Sequence, residues 1–193
     1  VTDLGLESRI VRTKWSAPAE FTFVVTDADL TISEINYHPS DPSVAEAAAG
    51  WTAEDFEFVE IHNAGSAPAN LVGTRLAGGV NFDFPAGTVI PGRGYLVIAQ
   101  DPAAFQAATG IANARGPWTG SLNNSGEEIR LVNNSDRVVN EMNFTDDSPW
   151  PIGPDGSGAT LAKRSRDLAS ELPENWTTSA QLGGTPGAIN FPD

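Results

Sequence analysis

The segment FEFVEIHN, residues 56–63, predicts a β-strand that runs directly into a turn, the segment AGSAPANL at residues 64–71. The first stretch is rich in aromatic and β-branched residues, which are enriched in β-strands. The second contains glycine, serine, proline and asparagine, the residues that most often form turns. The same order of short strand, turn and short strand continues along the chain, so the sequence predicts an all-β protein.

The strands on either side of this stretch are short and closely spaced. Leu30–Tyr37 precedes it, and neither face of this strand is apolar throughout. Tyr95–Ala99 is the most continuously apolar strand, so we predict that it lies at the centre of a sheet. Glu127–Val132 and Arg137–Phe144 flank the turn Asn133–Asp136 and predict a β-hairpin. Short strands with turn signals about every 8–12 residues are typical of a β-sandwich.

Two short helices are predicted between the strands, over residues 43–49 and 102–109. An Asp-Pro pair precedes each of them, at Asp41–Pro42 and Asp101–Pro102, and a glycine follows each one. Aspartate caps helix N-termini, proline suits the first turn, and glycine suits the position after the last turn. The predicted fold class is therefore an all-β sandwich with one or two short helices.

The composition excludes several classes of function. The 193 residues carry a net charge of −14, with only 11 basic residues, of which Lys163–Arg166 is the densest group. This charge opposes binding to nucleic acid, because a phosphate backbone requires clustered lysine and arginine. The absence of cysteine excludes disulfides and thiolate metal sites. Membrane insertion is not expected, because no apolar run approaches the roughly 20 residues that a spanning helix needs.

Residues 1–27 differ from the rest of the chain. Arg9–Arg12 and Phe21–Val25 are predicted strands on either side of Trp15–Ala19, and together they resemble the last hairpin of a fibronectin-type module. Residues 1–27 are therefore interpreted as the C-terminal strands of an upstream β module, or as an N-terminal extension that docks on a main domain at 28–193. Because residue 1 is valine, we expect the sequence to be part of a longer chain.

The main domain resembles the bacterial lamin-tail domain family in several motifs that occur in the same order. Leu71–Leu76 is similar to the family motif Leu-x-Gly-Trp-x-Leu, with Thr74 in the place of the usual tryptophan, which alters one packing site. The other matching segments are Leu30–Tyr37, Glu57–Asn63, Phe84–Ala99, Gly120–Glu127, Asn175–Trp176 and Gly184–Asn190. The resemblance covers about residues 30–190.

The resemblance implies an immunoglobulin-like β-sandwich. In animal lamins this domain binds partner proteins and, in some reports, DNA or chromatin; in bacteria it is mostly an accessory module of large secreted or surface proteins without its own catalysis. We expect an extracellular or cell-envelope location, with a protein, a surface glycan or other domains of the same polypeptide as partners.

The acidic loops around residues 145–158 contain the candidate metal ligands Asp146, Asp147 and Asp155. Carboxylates and loop carbonyls are hard oxygen ligands that suit calcium. Aspartate and glycine are also common turn residues, so a calcium site and ordinary turns are both open interpretations. Glu54–Glu57 is expected to be a solvated loop. His38 and His62 have no zinc-ligand spacing, and ordinary polar roles are expected for them.

Four tryptophans fall in predicted loops: Trp51, Trp118, Trp150 and Trp176. They could stack sugar rings, or they could plug the open ends of the sandwich. No Gly-x-Ser-x-Gly elbow is present, and no nucleophile–base pair is recognisable, so we do not expect an enzyme. The sequence favours a non-enzymatic β-sandwich module of a larger exported or cell-surface protein. The alternative is a calcium- or carbohydrate-binding module attached to a secreted hydrolase.

Overall fold

The computed structural model describes residues 29–192. The α-helices are α1 (Val44–Ala48) and α2 (Pro102–Thr109), and 3₁₀ turns cover Ala53–Phe56 and Pro173–Asn175. The strands are β1 (Leu30–Asn36), β2 (Phe58–Asn63), β3 (Ala69–Asn70), β4 (Arg75–Gly78), β5 (Val80–Asp83), β6 (Val89–Ile90), β7 (Tyr95–Ala99), β8 (Thr119–Gly120), β9 (Gly126–Val132), β10 (Val138–Thr145), β11 (Ala159–Lys163) and β12 (Trp176–Leu182). The all-β prediction with two short helices is confirmed; the strands predicted within residues 1–27 lie outside the described residues.

Two five-stranded antiparallel sheets form the sandwich. The first sheet has the order β12-β11-β1-β2-β7, and the second has the order β10-β9-β4-β5-β8. Strands β3 and β6 pair separately. The predicted hairpin is confirmed as β9 and β10, whose residues pair from Gly126 with Thr145 to Val132 with Val138. Because β11 and β12 come from the last third of the chain and extend the sheet that β1 begins, the two ends of the described chain share one sheet.

The apolar core lies between the two sheets. Ile32 and Ile35 of β1, and Ile61 of β2, contribute from the first sheet, and Leu76 and Leu131 contribute from the second; all five are fully buried. Ile32 and Ile35 are three residues apart, yet both face the core, because the register between β1 and β2 shifts between Ile32 and Glu34. Such a bulge inserts an extra residue and breaks the two-residue alternation of a strand. This explains why the sequence of β1 shows no clean apolar face.

The central strand of the first sheet is β1, and the prediction that Tyr95–Ala99 lies at a sheet centre is wrong. These residues form β7, at the edge of the sheet, beside β2 alone. They are apolar for another reason: Val97 and Ala99 pack with Phe58 of β2 and Phe105 of α2 on the outer face of the sheet, away from the main core. The edge of β7 that does not pair with β2 is covered by Arg115, whose N–H donates to the Val97 carbonyl at 2.8 Å.

Helix α2 has the termini that its sequence predicts. The Asp101 carboxylate accepts hydrogen bonds from the N–H groups of Ala103, at 2.7 Å, and Ala104, at 3.1 Å. Gly110 ends the helix with φ at 77°, a left-handed conformation that glycine adopts without strain. Helix α1 differs from its prediction: its N-cap is Ser43, which forms a capping box with Glu46, and not Asp41. Within residues 29–192, no helix has the length and apolar character needed to cross a membrane.

We predict that Val97→Asp unfolds the domain. The Val97 side chain is 5% exposed between Phe58 and Phe105, so the new carboxylate would be buried without a partner. Such burial costs several kcal/mol, compared with a total stability of about 5–15 kcal/mol for a typical domain. The matched control is Val44→Asp, at a residue that is 90% exposed. Thermal unfolding followed by circular dichroism should show loss of the transition in the first variant alone; an unchanged melting temperature in Val97→Asp would mean that this side chain is not packed as described.

Candidate functional site

The outer face of the first sheet, opposite the core, is polar and buried. Glu34 of β1, Glu60 and His62 of β2, and Thr160 of β11 all have no exposed surface. We call this surface the polar face. It is covered by the C-terminal strap, residues 184–190, which makes hydrogen bonds to it along its length. Buried ionisable groups with shifted pKa values are often found at functional sites, so the polar face is the candidate site.

Two carboxyl groups hold the strap. Glu34 and Glu60 are direct cross-strand neighbours in the pairing of β1 with β2. The N–H of Thr185 donates to both oxygens of Glu34, at 3.1 and 3.2 Å, and the N–H of Gly187 donates to Oε2 of Glu60, at 2.6 Å. A Cβ at Gly184 would overlap Oε1 of Glu34, so only glycine allows the strap to approach this closely.

Hydroxyl groups complete the environment of the two carboxyls. Ser33 Oγ donates to Oε1 of Glu60 at 2.6 Å, and Thr160 Oγ1 donates to Oε1 of Glu34. The strap is also attached at its far end, where Asn190 Nδ2 donates to the Ser33 carbonyl at 2.8 Å. The oxygens of both carboxyl groups therefore all accept internal hydrogen bonds. Through these bonds the two side chains hold the main chain of the strap against the sheet.

Burial shifts the pKa values of both carboxyl groups upwards. The pKa of Glu34 is raised to about 7 and that of Glu60 to about 8, and the neighbouring Glu34 carboxylate contributes to the second of these increases. The hydrogen bonds from Thr160, Thr185, Ser33 and Gly187 act in the opposite direction, because they favour the ionised form, but burial has the larger effect. The polar face therefore binds protons more strongly in the folded protein than in the unfolded chain.

Lys163 is the last residue of β11, where it pairs with Trp176 of β12. Its residue is 2% exposed, and its Nζ donates to Thr31 Oγ1 and, at 2.9 Å, to Ser170 Oγ. The ammonium group also lies 6.0 Å from the centroid of the Trp176 ring. Burial lowers the pKa of Lys163 to about 8, and the more distant charges of Glu171 and Asp167 partly offset this effect. Within residues 29–192, no carboxylate forms an ion pair with this lysine.

His62 is fully buried next to Tyr95, with the two ring centroids 4.5 Å apart. Neither ring nitrogen has a hydrogen-bond partner among the described residues. The Arg93 carbonyl favours the protonated ring electrostatically, but it makes no hydrogen bond of acceptable geometry with it. Burial, and secondarily the charge of Arg166, lowers the pKa of His62. The ring is therefore neutral at neutral pH.

The three aspartates predicted as calcium ligands lie on the loops between β10 and β11. Asp155 Oδ1 is 2.5 Å from Nδ1 of His38, and the Asp147 carbonyl accepts the N–H of Trp150 at 3.0 Å. Burial, and after it the charges of Asp155 and Asp146, raises the pKa of the Tyr37 phenol. No group of three or more His, Asp or Glu side chains within residues 29–192 is arranged to hold a metal ion. Calcium binding at Asp146, Asp147 and Asp155 stays a prediction.

The tryptophans do not offer a row of rings to a sugar. Trp118, Trp150 and Trp176 are buried in the core, where the rings of Trp150 and Trp176 lie 6.2 Å apart. Trp51 is half-buried and packs edge-on against Phe56. Of the two interpretations of these residues, the structure therefore matches the one in which they plug the sandwich.

The sequence did not identify the polar face as a site. The expectation that Glu54–Glu57 forms a solvated loop is wrong for Glu57, which is buried and accepts the Leu122 N–H at 3.3 Å. Glu34 and Glu60 lie inside predicted strands, where a charged residue is normally assigned to solvent. One signal in the sequence could have indicated the polar face, namely the Gly184–Asn190 motif. A glycine-rich segment that follows β12 can approach the face of a sheet closely.

We predict that stability falls as pH rises across neutrality. A carboxyl group whose pKa is raised by folding binds more protons in the folded state than in the unfolded chain at any pH between its two pKa values. This window begins at the unfolded pKa of 4.5 and ends at about 7 for Glu34 and at about 8 for Glu57 and Glu60. The free energy of unfolding therefore decreases through this window, by up to about 1.4 kcal/mol per pH unit for each group. His62, with its lowered pKa, has the opposite effect below its unfolded value of 6.5.

The measurement compares the parent with Glu34→Gln/Glu60→Gln in urea. An amide resembles a protonated carboxyl, and the Ser33 and Thr160 hydroxyls can accept as well as donate, so the variant should keep the strap in place. Its free energy of unfolding should match that of the parent near about pH 5 and exceed it by a few kcal/mol near about pH 8. Parallel pH profiles for the two proteins would contradict the raised pKa values.

A second prediction tests the two interpretations of the acidic loops. Because Asp155 already pairs with His38, we expect millimolar calcium to raise the melting temperature no more than magnesium does, after EDTA treatment. The control is Asp146→Asn/Asp155→Asn. A calcium-specific increase in the parent that is absent from this variant would establish the calcium site instead.

Comparison with known proteins agrees with this architecture. A search of curated proteins gave no match. A family model for the lamin tail domain, an immunoglobulin-like fold, matches residues 25–146. That range covers more than half of the chain and contains β1 to β10, while β11, β12 and the strap complete the first sheet beyond it. The chain therefore belongs to the lamin tail domain family.

Proposed function

We propose that this chain is a non-catalytic interaction module of a larger exported or cell-surface polypeptide. The main support for the proposal is that the ionisable groups of the polar face are covered. Its carboxyl groups, which would be the natural acid–base candidates, lie under the strap with their oxygens engaged by Ser33, Thr160, Thr185 and Gly187. A general acid or base must come within hydrogen-bonding reach of a substrate, and these groups are covered.

The surface offers a place for a partner. Two adjoining grooves meet where the end of α2 faces the turn after β12: one of about 360 Å³ follows that turn, and one of about 260 Å³ extends toward the loop after β1 and toward α1. Both are lined by Ala108, Leu182 and Gly183, and Leu182 is 75% exposed. The exported context is supported by the resemblance to bacterial lamin-tail domains, which are mostly modules of secreted or surface proteins. The acidic net charge favours cationic or neutral partners over nucleic acid.

The absence of catalysis is tested with a panel of chromogenic esterase, phosphatase, glycosidase and peptidase substrates. The parent and Glu60→Gln should both give the rate of buffer alone, because the carboxyl group does not reach a substrate. Turnover by the parent that Glu60→Gln abolishes, while the variant keeps its melting temperature, would overturn the proposal.

The interaction role is tested on glycan and peptide arrays. Binding should be lost in Ala108→Glu/Leu182→Glu, which places charge in the grooves, and kept in Val44→Glu, which changes an exposed residue of α1. A folded parent that binds nothing on either array, or that binds equally well in the groove variant, would remove the groove as the interaction surface.

A further inference from the structure

A small cavity of about 80 Å³ lies between the loop that follows β11 and the end of the strap. Three of the chain's few cations line it, namely Lys163, Arg164 and Arg166, against one carboxylate, that of Asp167. Tyr95 contributes a further polar side chain. We propose that this cavity binds a single small oxyanion, such as phosphate or sulfate.

Lys163 has no ion-pair partner within residues 29–192, and the charges of Glu171 and Asp167 act on it only from a distance. A buried ammonium group is costly unless it is paired with an opposite charge. The described hydrogen-bond partners of Nζ are two neutral hydroxyls, of Thr31 and Ser170, and an ammonium has three protons to donate. An oxyanion in the cavity would supply both the missing acceptor and the missing counter-charge.

Two arginines, Arg164 and Arg166, line the cavity beside Lys163. Arg164 Nε donates to the Glu174 carbonyl at 3.1 Å, and Arg166 bonds to the Tyr95 side chain, so each guanidinium is held in place and keeps further N–H donors for the oxygens of phosphate or sulfate. Asp167 reduces the positive charge without cancelling it, since three cations face one carboxylate.

The cavity has the size of one small ion. Because one water molecule needs about 10–15 Å³ of cavity volume, the cavity has room for roughly half a dozen waters or one tetrahedral oxyanion. A polyanion would have to lie along a surface with a net charge of −14, which repels it. A small ion is exposed to less of this repulsion, because salt screens charges beyond about 8 Å at physiological ionic strength. The site should therefore select small oxyanions over nucleic acid.

The test is isothermal titration calorimetry with sodium phosphate and sodium sulfate at constant ionic strength, with sodium chloride as the reference. Arg164→Gln and Arg166→Gln remove rim charges without touching the buried lysine. Each should weaken binding about tenfold, equivalent to about 1.4 kcal/mol. The matched control is Arg75→Gln, on the second sheet, where Arg75 pairs with Asp136; its affinity should equal that of the parent.

Lys163→Met is the stricter variant, and thermal melting establishes first that it folds. A folded Lys163→Met should lose detectable binding. Methyl phosphate distinguishes a free ion from the terminal group of a larger ligand: equal affinity assigns the site to a terminal phosphate, and weaker affinity assigns it to the free ion. Heats that match those of chloride, unchanged affinity in both arginine variants, or binding of duplex DNA in preference to phosphate would each overturn the proposal.

Discussion

Two carboxyl groups, those of Glu34 and Glu60, lie side by side across β1 and β2 on a sheet face that water does not reach. Like charges in direct cross-strand contact repel, and burial penalises both, so this arrangement is unfavourable unless donors are supplied. The C-terminal strap supplies them, through the N–H groups of Thr185 and Gly187. The strap in turn closes the sheet face, so this face is covered only when residues 184–190 return to β1 and β2.

The fold was accessible to sequence analysis because local signals and packing agree. Turn residues mark the strand ends, and the Asp101–Pro102 start of α2 specifies its cap. Where the prediction failed, a longer-range constraint decided the outcome. Tyr95–Ala99 is apolar because Phe105 packs on one of its faces, and an edge strand covered on both faces has the same sequence pattern as a central one. The bulge near Ser33 has no local signature, since it arises from the pairing with β2.

The candidate site could not be predicted from the sequence in the same way. Glu34 and Glu60 become neighbours only through strand register, and their donors come from a segment more than a hundred residues further along the chain. Lys163 belongs to the basic group at 163–166 that the sequence does reveal, but its burial beside Thr31 and Ser170 is a tertiary feature. The acidic loops, in contrast, were easy to find in the sequence. Because aspartates and glycines are abundant in turns, their clustering there carries little information about ligands.

Amide hydrogen exchange, read by NMR at individual residues, measures whether Glu34 and Glu60 fasten the strap to the polar face, because the Thr185 and Gly187 amides have carboxyl oxygens as their acceptors. We expect protection at these two amides comparable to that of the β1 and β2 amides, and loss of that protection in Glu34→Ala/Glu60→Ala. Exchange at Thr185 and Gly187 in the parent as fast as at the exposed loop residues Asn123 and Asn124 would contradict it.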